Sequence, residues 1–382
     1  MGFLLMSPGP TMLPDEVLKA GAEPMTNHRV REFSLVLRES MDMLKPVFGT
    51  TANVFLLAGS GRTAIESALV NALCPGDKVL VGVNGNFGNM LSAIAQGMGF
   101  AVVPVGSDWT RPLDVDEVQR AFASDSDLRA LAVVHSETST SILNDIASLA
   151  QICRRYDKLL IVDAVSSLGG VPVDMDRHGI DIVASGSQKC LMAPPGIGVV
   201  AVREEAWPHI LASKSPRYTY DFRRMKEVAD KPLPQTPGTT PVSLVRSLHK
   251  ALSMIHEYGI DSTYRHTEKV ASATRAGVEA LGLSWLPGRQ HATSPTVTTV
   301  SVAGNVDVKA LTEKLYDDYG IHVGRGLGKV AGDTFRIGHM GIAQRQSILD
   351  TMAILGSCMK KHFALSVPET AAYDAAKEVL DS

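Results

Sequence analysis

The sequence predicts an α/β protein: a mostly parallel, seven-stranded sheet flanked by helices, followed by a smaller α+β unit. Three observations predict it. From about residue 53, short β-branched runs alternate with amphipathic stretches, the pattern of strands and helices wound around a parallel sheet. A length of 382 residues exceeds the roughly 250 to 300 at which single cores stop growing, so a large unit and a smaller one are expected. The composition shifts again beyond residue 257. The expected division is a large domain over 16–256 and a small one over 257–382, joined by the N-terminal segment 1–15.

The seven strands are expected at Val54–Ala58, Lys78–Val83, Ala101–Val105, Ala130–His135, Leu159–Val162, Ile180–Ala184 and Val199–Val202. Helices are expected between them at Arg62–Leu73, Asn89–Met98, Val115–Ala123 and Ile146–Tyr156, the last with Ile146, Leu149, Ala150 and Cys153 on one face. Lys231-Pro-Leu-Pro-Gln-Thr-Pro-Gly-Thr-Thr-Pro241 carries too many prolines for regular structure and reads as a fixed loop before a helix Val242–His256. The small unit is expected to hold strands near Thr296–Val302, Ile321–Val323 and Thr334–Ile337, with helices near Val308–Tyr319 and Gln344–His362.

Composition excludes several classes. Apolar residues make up 45% and charged ones 20%, with a net charge of −3, which favours neither nucleic acid nor an anionic membrane surface. Cys74, Cys153, Cys190 and Cys358 show no C-x-x-C spacing, so neither a zinc site nor a disulfide framework is expected, and a reducing, cytoplasmic setting fits. The apolar start Met1–Met6 lacks a basic leader and is broken by Ser-Pro-Gly-Pro, too short for a signal peptide or a membrane span.

Chemistry concentrates where strands end. Lys189, in Ser185-Gly-Ser-Gln-Lys-Cys-Leu-Met-Ala-Pro-Pro-Gly-Ile-Gly198, is a lone amine among small and apolar neighbours. Desolvation there disfavours the ammonium and leaves a nucleophile suited to a Schiff base. Asp163 closes the apolar run Lys158-Leu-Leu-Ile-Val-Asp163, and a buried carboxylate demands a partner such as a protonated pyridine nitrogen. Taken singly, Asp163 could cap a turn and Lys189 could face solvent. Together they emerge on one rim of one sheet.

Gly59-Ser-Gly-Arg-Thr-Ala64 follows the first strand and opens a helix, an anion cup in which backbone, Ser60 and Arg62 would hold a phosphate monoester. The same residues match G-x-G-x-x-A, but the next strand ends in Gly and Asn rather than the acidic residue a dinucleotide ribose requires. Gly82-Val-Asn-Gly-Asn-Phe-Gly88 brings Phe87 to the same rim, where its ring would stack on a planar cofactor or fill the core. In His135-Ser-Glu-Thr-Ser-Thr140, Thr138 could bond a cofactor oxygen. A serine hydrolase is disfavoured, since no G-x-S-x-G elbow exists and His135 and its neighbouring Ser are adjacent in sequence.

These residues resemble the class V aminotransferases of fold type I, in the branch of alanine–glyoxylate and serine–pyruvate aminotransferases. The resemblance runs from Ser7-Pro-Gly-Pro10 through Gly59–Glu66, Val162–Gly169 and Ser185–Lys189 to Phe335-Arg-Ile-Gly338. It implies pyridoxal 5′-phosphate as cofactor, with Lys189 as its Schiff-base lysine and Asp163 at its ring nitrogen. Phe87 would be the stacking ring, at a position where relatives often carry Trp, and Val165 would face the opposite side. Ser60, Gly61, Arg62 and Gln188 would hold the phosphate, and Thr138 the ring hydroxyl. The loop holding Thr236 and Thr239 would reach the phosphate of the neighbouring subunit in a homodimer; relatives commonly place a Tyr where this chain offers Thr236. Arg336 would pair with the substrate carboxylate, with Arg325 and Arg345 as competitors. Pro8 and Gly9 would line a small substrate pocket, and Asn27-His28-Arg29 resembles a further active-site segment.

The implied activity is transfer of an amino group from a small, alanine- or serine-like amino acid to a small 2-oxo acid, glyoxylate or pyruvate. Alternatives on the same scaffold are a pyridoxamine–pyruvate and a ureidoglycine–glyoxylate aminotransferase. For the first, Glu66 in the phosphate cup would be the sign. A cysteine desulfurase or another lyase of this fold would need a catalytic Cys on a mobile loop, whereas Cys358 falls in an expected helix. A cofactor-sensing regulator would need a DNA-binding element, which is not visible.

Overall fold

A computed structural model describes residues 3–302, 306–341, 345–363 and 366–382 of the chain. Its centre is a seven-stranded sheet of β1 (Asn53–Ala58), β2 (Lys78–Gly82), β3 (Ala101–Val105), β4 (Leu128–Val134), β5 (Leu159–Asp163), β6 (Ile182–Gly186) and β7 (Ile197–Val202). The order is β1-β7-β6-β5-β4-β2-β3; β7 runs antiparallel to both neighbours and every other pair is parallel. All strands but β7 therefore end on one rim.

A mostly parallel sheet must be covered on both faces. Residues alternate accordingly. Along β1, Val54 and Leu56 join a cluster with Phe33, Leu37 and Leu44 of helix Arg31–Phe48 and with Leu248 of helix Val242–Tyr258. Phe55 and Leu57 face the other way, into a cluster with Ile65 and Leu69 of helix Gly61–Ala72 and Leu91 of helix Asn86–Gly97. A third cluster belongs to a four-stranded antiparallel sheet of Ser284–Leu286, Val297–Ser301, Thr334–Gly338 and Gly324–Arg325, backed by helices Ile260–Ala280, Val308–Asp317, Arg345–His362 and Ala371–Asp381. Met6 belongs to this cluster too, because strand Leu4–Leu5 pairs in parallel with Ile321–His322. Among the described residues no helix is long and apolar enough to cross a membrane.

Several boundaries differ from the sequence-based expectation. β6 begins at Ile182 rather than Ile180, because Gly179 sits at φ +72° and the Ile180 amide closes a turn onto Met175. The helix expected from Asn89 starts at Asn86, and helices Asp15–Gly21, Arg31–Phe48, Ile260–Ala280 and Ala371–Asp381 were not expected. Helix Arg345–His362 is present; Gln344, where it was expected to begin, lies outside the described residues, as do Met1 and Gly2. The proline-rich loop is irregular over 231–241, as its composition requires.

Phe55 is 1% exposed, stacks on Phe222 at 5.6 Å between ring centroids and meets Trp207 edge-on at 6.4 Å. Phe55→Ala should cost about 3–5 kcal/mol through the cavity it leaves. Chemical denaturation followed by circular dichroism measures this; an unchanged midpoint would remove Phe55 from the anchoring role.

Candidate active site

The ends of β1, β2, β4, β5 and β6 bring the sequence-selected residues together. Ser60, Gly61, Arg62, Phe87, Thr138, Asp163, Val165, Gln188 and Lys189 surround a single cavity of about 350 Å³. The placement follows from topology: β5 and β6 are adjacent, with Asp163 level with Ala184, so the carboxylate and the lysine five residues beyond Ala184 open into the same space. Ligands of open α/β sheets bind at this rim.

Asp163 is 5% exposed. Its Oδ1 accepts a hydrogen bond from the Val165 amide at 2.9 Å. Burial pushes its carboxyl up to about 7; the Val165 bond opposes that, the charge of Glu137 adds to it and that of Lys189 opposes it. Lys189 shifts the other way, down to about 8, chiefly because burial disfavours the ammonium and secondly because the Arg336 guanidinium repels it. Its Nζ donates to the Pro8 carbonyl. The turn around Gly9 is drawn onto this amine: Gly9 has φ +104°, and a Cβ there would lie 2.5–2.7 Å from Lys189 Cδ, Cε and Nζ. Pro8 and Gly9 thus pack on the lysine, and Thr11 fixes them by bonding the Gln188 and Lys189 carbonyls.

Two helices point their N-termini at this region, and they are used differently. Helix Gly61–Ala72 begins on the cavity wall, so close that a Cβ at Gly61 would lie 2.5 Å from Val165 Cγ2. Thr63 Oγ1 takes the Ser60 amide and the Ser60 side chain takes the Thr63 amide, while the Gly61 and Arg62 amides have no backbone partner within the helix. Beside them, Arg62 is in no ion pair among the described residues and bonds Met90 Sδ at 3.3 Å, and the buried Gln188 Oε1 has no hydrogen-bond partner. The first-turn amides and the Arg62 guanidinium are donors that suit a phosphate, whereas the Gln188 Oε1 is an acceptor that a phosphate does not satisfy. The second helix, Asn86–Gly97, is closed by the protein itself: Ser139 Oγ accepts from Asn86 N at 2.9 Å, and Glu137 Oε2 accepts from Phe87 N at 3.0 Å and Gly88 N at 2.9 Å.

In the segment His135–Thr140 the sequence singled out Thr138 but not Glu137. Glu137 is wholly buried, and its Oε1 also accepts from Ser139 N at 3.0 Å and Ser139 Oγ at 2.5 Å. Burial raises its pKa and those hydrogen bonds oppose the rise. Ser166, also unselected, lines the cavity and accepts a hydrogen bond from Thr138 Oγ1 at 2.7 Å. Its signal was present in the hydroxyl-rich Val162–Gly169 segment. By contrast, no local pattern links Glu137 to a helix 50 residues away.

Past Lys189 and Phe87 a second, outer cavity of about 850 Å³ opens, lined by Pro8, Gly9, Arg325 and Arg336. Arg336 is 9% exposed, donates from Nε to the Arg325 carbonyl at 2.9 Å and lies 3.5 Å from the Thr138 carbonyl. Burial pulls its pKa down to about 10, against the charge of Glu137. Among the described residues it has no ion pair. Arg325 does, with Glu313 at 2.9 Å, so its charge is already met.

Arg345 is corrected: its guanidinium binds the Leu380 carbonyl at 2.9 Å and the Asp381 carboxylate, tying two helices together away from both cavities. Thr236 and Thr239 lie in the irregular loop, where Thr236 Oγ1 bonds the Gly238 carbonyl at 2.8 Å and Arg29 bonds the Thr236 carbonyl at 2.8 Å; neither threonine lines the Lys189 cavity of its own chain.

The Asp163 shift has a consequence for stability. The folded chain keeps that proton up to about pH 7, whereas the unfolded chain releases it near 3.8. Between those values the folded state binds more protons, so stability falls as pH rises. Cofactor-free Asp163→Asn should therefore melt a few degrees above the cofactor-free wild type at pH 8, the gap closing by pH 4. Equal melting temperatures at pH 8 would contradict it.

Comparison with known proteins gives the same direction. Residues 3–339 match the family model Aminotransferase class-V. An uncharacterized aminotransferase of Methanocaldococcus jannaschii is 38% identical over 99% of this chain and 97% of its own length. The alanine–glyoxylate aminotransferase of Callithrix jacchus is 34% identical over 94% of this chain and 89% of its own. The crystal structure of the ureidoglycine–glyoxylate aminotransferase of Bacillus subtilis superposes with a TM-score of 0.93 at 27% identity, covering 100% of this chain and 99% of that one. With the rim geometry and these relatives in agreement, the chain belongs to the class V aminotransferases, fold type I transaminases that depend on pyridoxal 5′-phosphate.

Proposed function

We propose that this transaminase moves an amino group from a small amino acid of the alanine or serine kind to a small 2-oxo acid such as glyoxylate or pyruvate. Lys189 is the residue that anchors the cofactor. The observation that carries the reading is that Asp163 and Lys189 share one cavity, which opens past Phe87 onto the guanidinium of Arg336. The proposed division of labour is a large unit over 16–256 that holds the cofactor and a small unit over 257–382, with segment 1–15, that holds the substrate carboxylate. In a cytoplasmic homodimer, Thr236 and Thr239 would serve the neighbouring subunit's phosphate.

Bound pyridoxal phosphate supplies an electron-withdrawing pyridine ring. Everything else is assigned to the chain. The Asp163 carboxylate holds the ring nitrogen protonated, a charge pair strengthened by its dry surroundings. Lys189, with its amine poised near pH 8, takes and returns the proton at the substrate Cα. Phe87 and Val165 flank the ring, Thr138 takes its hydroxyl, and the Gly61 helix with Ser60, Arg62 and Gln188 takes the phosphate. Arg336 offers a planar fork to the α-carboxylate.

Holding the phosphate ester permanently, rather than consuming free pyridoxamine, is supported by Arg62 lining the inner cavity while Glu66 does not. A donor and acceptor screen that includes pyridoxamine with pyruvate tests this. Activity with alanine or serine and glyoxylate is expected; turnover confined to pyridoxamine and pyruvate would overturn it. Lys189→Ala should lower transamination by roughly 10³-fold or more, and retained activity would exclude Lys189. Arg336→Lys should raise KM for the amino acid roughly ten- to a hundredfold with less effect on kcat, since a point charge cannot replace the fork; unchanged KM would move the carboxylate elsewhere.

A further inference from the structure

The helix that carries Phe87 has an unusual beginning. Its N-cap position is Gly85, which has no side chain to meet the orphan amides of the first turn. Those amides are met from the loop after β4 instead. Ser139 takes Asn86 N, Glu137 takes Phe87 N and Gly88 N, and Ser139 in turn donates to Glu137. Asn89 N then returns to the Gly85 carbonyl, completing the turn without help from any local side chain. Gly85 is also shaped around its remote cap, since a Cβ there would lie 2.1 Å from Glu137 Cγ and Cδ.

Among the described residues every neighbour within hydrogen-bond distance of the Glu137 carboxylate donates, so both oxygens act as acceptors and no acceptor there waits for a carboxylic proton. A wholly buried carboxylate held by four donors is far stiffer than an exposed cap, and rotation of the Phe87 backbone would break two of those bonds at once. Phe87 itself is only half-buried and lines both cavities, so packing alone does not fix its ring.

We propose that Glu137 is the positioning residue for Phe87: by capping the helix from the loop after β4 it sets the height and tilt of that ring over the cofactor cavity. The inference rests on the reading that this cavity holds pyridoxal phosphate. It concerns a residue that touches neither cofactor nor substrate, and it accounts for a buried charge that the proposed chemistry leaves unused.

The test is a double-mutant cycle read on cofactor binding to apoprotein, with Glu137→Gln, Phe87→Leu and the double variant, alongside the induced circular dichroism of the bound cofactor. If Glu137 acts through the ring, each single variant weakens binding roughly tenfold, the double variant is no worse than Phe87→Leu, and Glu137→Gln diminishes the induced dichroism as Phe87→Leu does. Independent, multiplying effects, or a Glu137→Gln protein that binds and responds like wild type, would overturn the proposal. Should Glu137→Gln fail to fold, Ser139→Ala loosens the same carboxylate and should give a smaller change in the same direction; no change in that variant would count against it. Wild-type apoprotein that fails to bind pyridoxal phosphate would instead overturn the cofactor-site reading, leaving the two failures distinct.

Discussion

A carboxylate at the dry end of β5 is the constraint around which the rest of the site is arranged. Asp163 has been taken out of water with one hydrogen bond from its own turn, and among the described residues no arginine or lysine sits close enough to bond it. Left alone, such a group holds its proton to about pH 7. Stability would be better served by an uncharged residue. Its retention makes sense where a cationic ring nitrogen completes the pair, because a charge pair in a low-dielectric cavity is worth far more than one in water.

The amine opposite has the complementary problem. Lys189 is crowded by Gly9, held by the Pro8 carbonyl and repelled by Arg336, and all three effects depend on segments distant from it in sequence. Two oppositely directed shifts thus lie on the two sides of a single cavity. Neighbouring strands in one parallel sheet are what keep the two in fixed relation.

Two helix N-termini facing one site could compete for the same anion. Here the competition is resolved chemically. The protein spends its own carboxylate, Glu137, on the helix of Phe87 and leaves the helix of Gly61 beside Arg62, which is in no ion pair among the described residues. The loop that supplies Glu137 is itself stitched to the smaller sheet and the segment leading into it by buried hydroxyls: Ser136 to Ser294 at 2.7 Å, and Ser141 to Thr299 at 2.8 Å. Through Thr138 the same loop lies against Arg336. Phe87 and Arg336 therefore meet at one loop.

Much of this was legible in the amino-acid sequence by itself. The strand runs, their order of alternation with helices and the residues closing β1, β2, β4, β5 and β6 follow from side-chain periodicity and turn chemistry, which act over a few residues and so are written locally. Helices such as Arg31–Phe48 and Ile260–Ala280 escaped that reading although a glycine, Gly49 and Gly259 respectively, bounds each. Which arginine remains without an ion pair among the described residues was decided only in three dimensions: Arg325 meets Glu313, Arg345 meets Asp381, and Arg336 meets backbone carbonyls. The capping of Phe87's helix by Glu137 was likewise invisible, since hydrogen bonds and ion pairs between distant segments depend on where the folded chain puts them, and no spacing along the sequence encodes that distance.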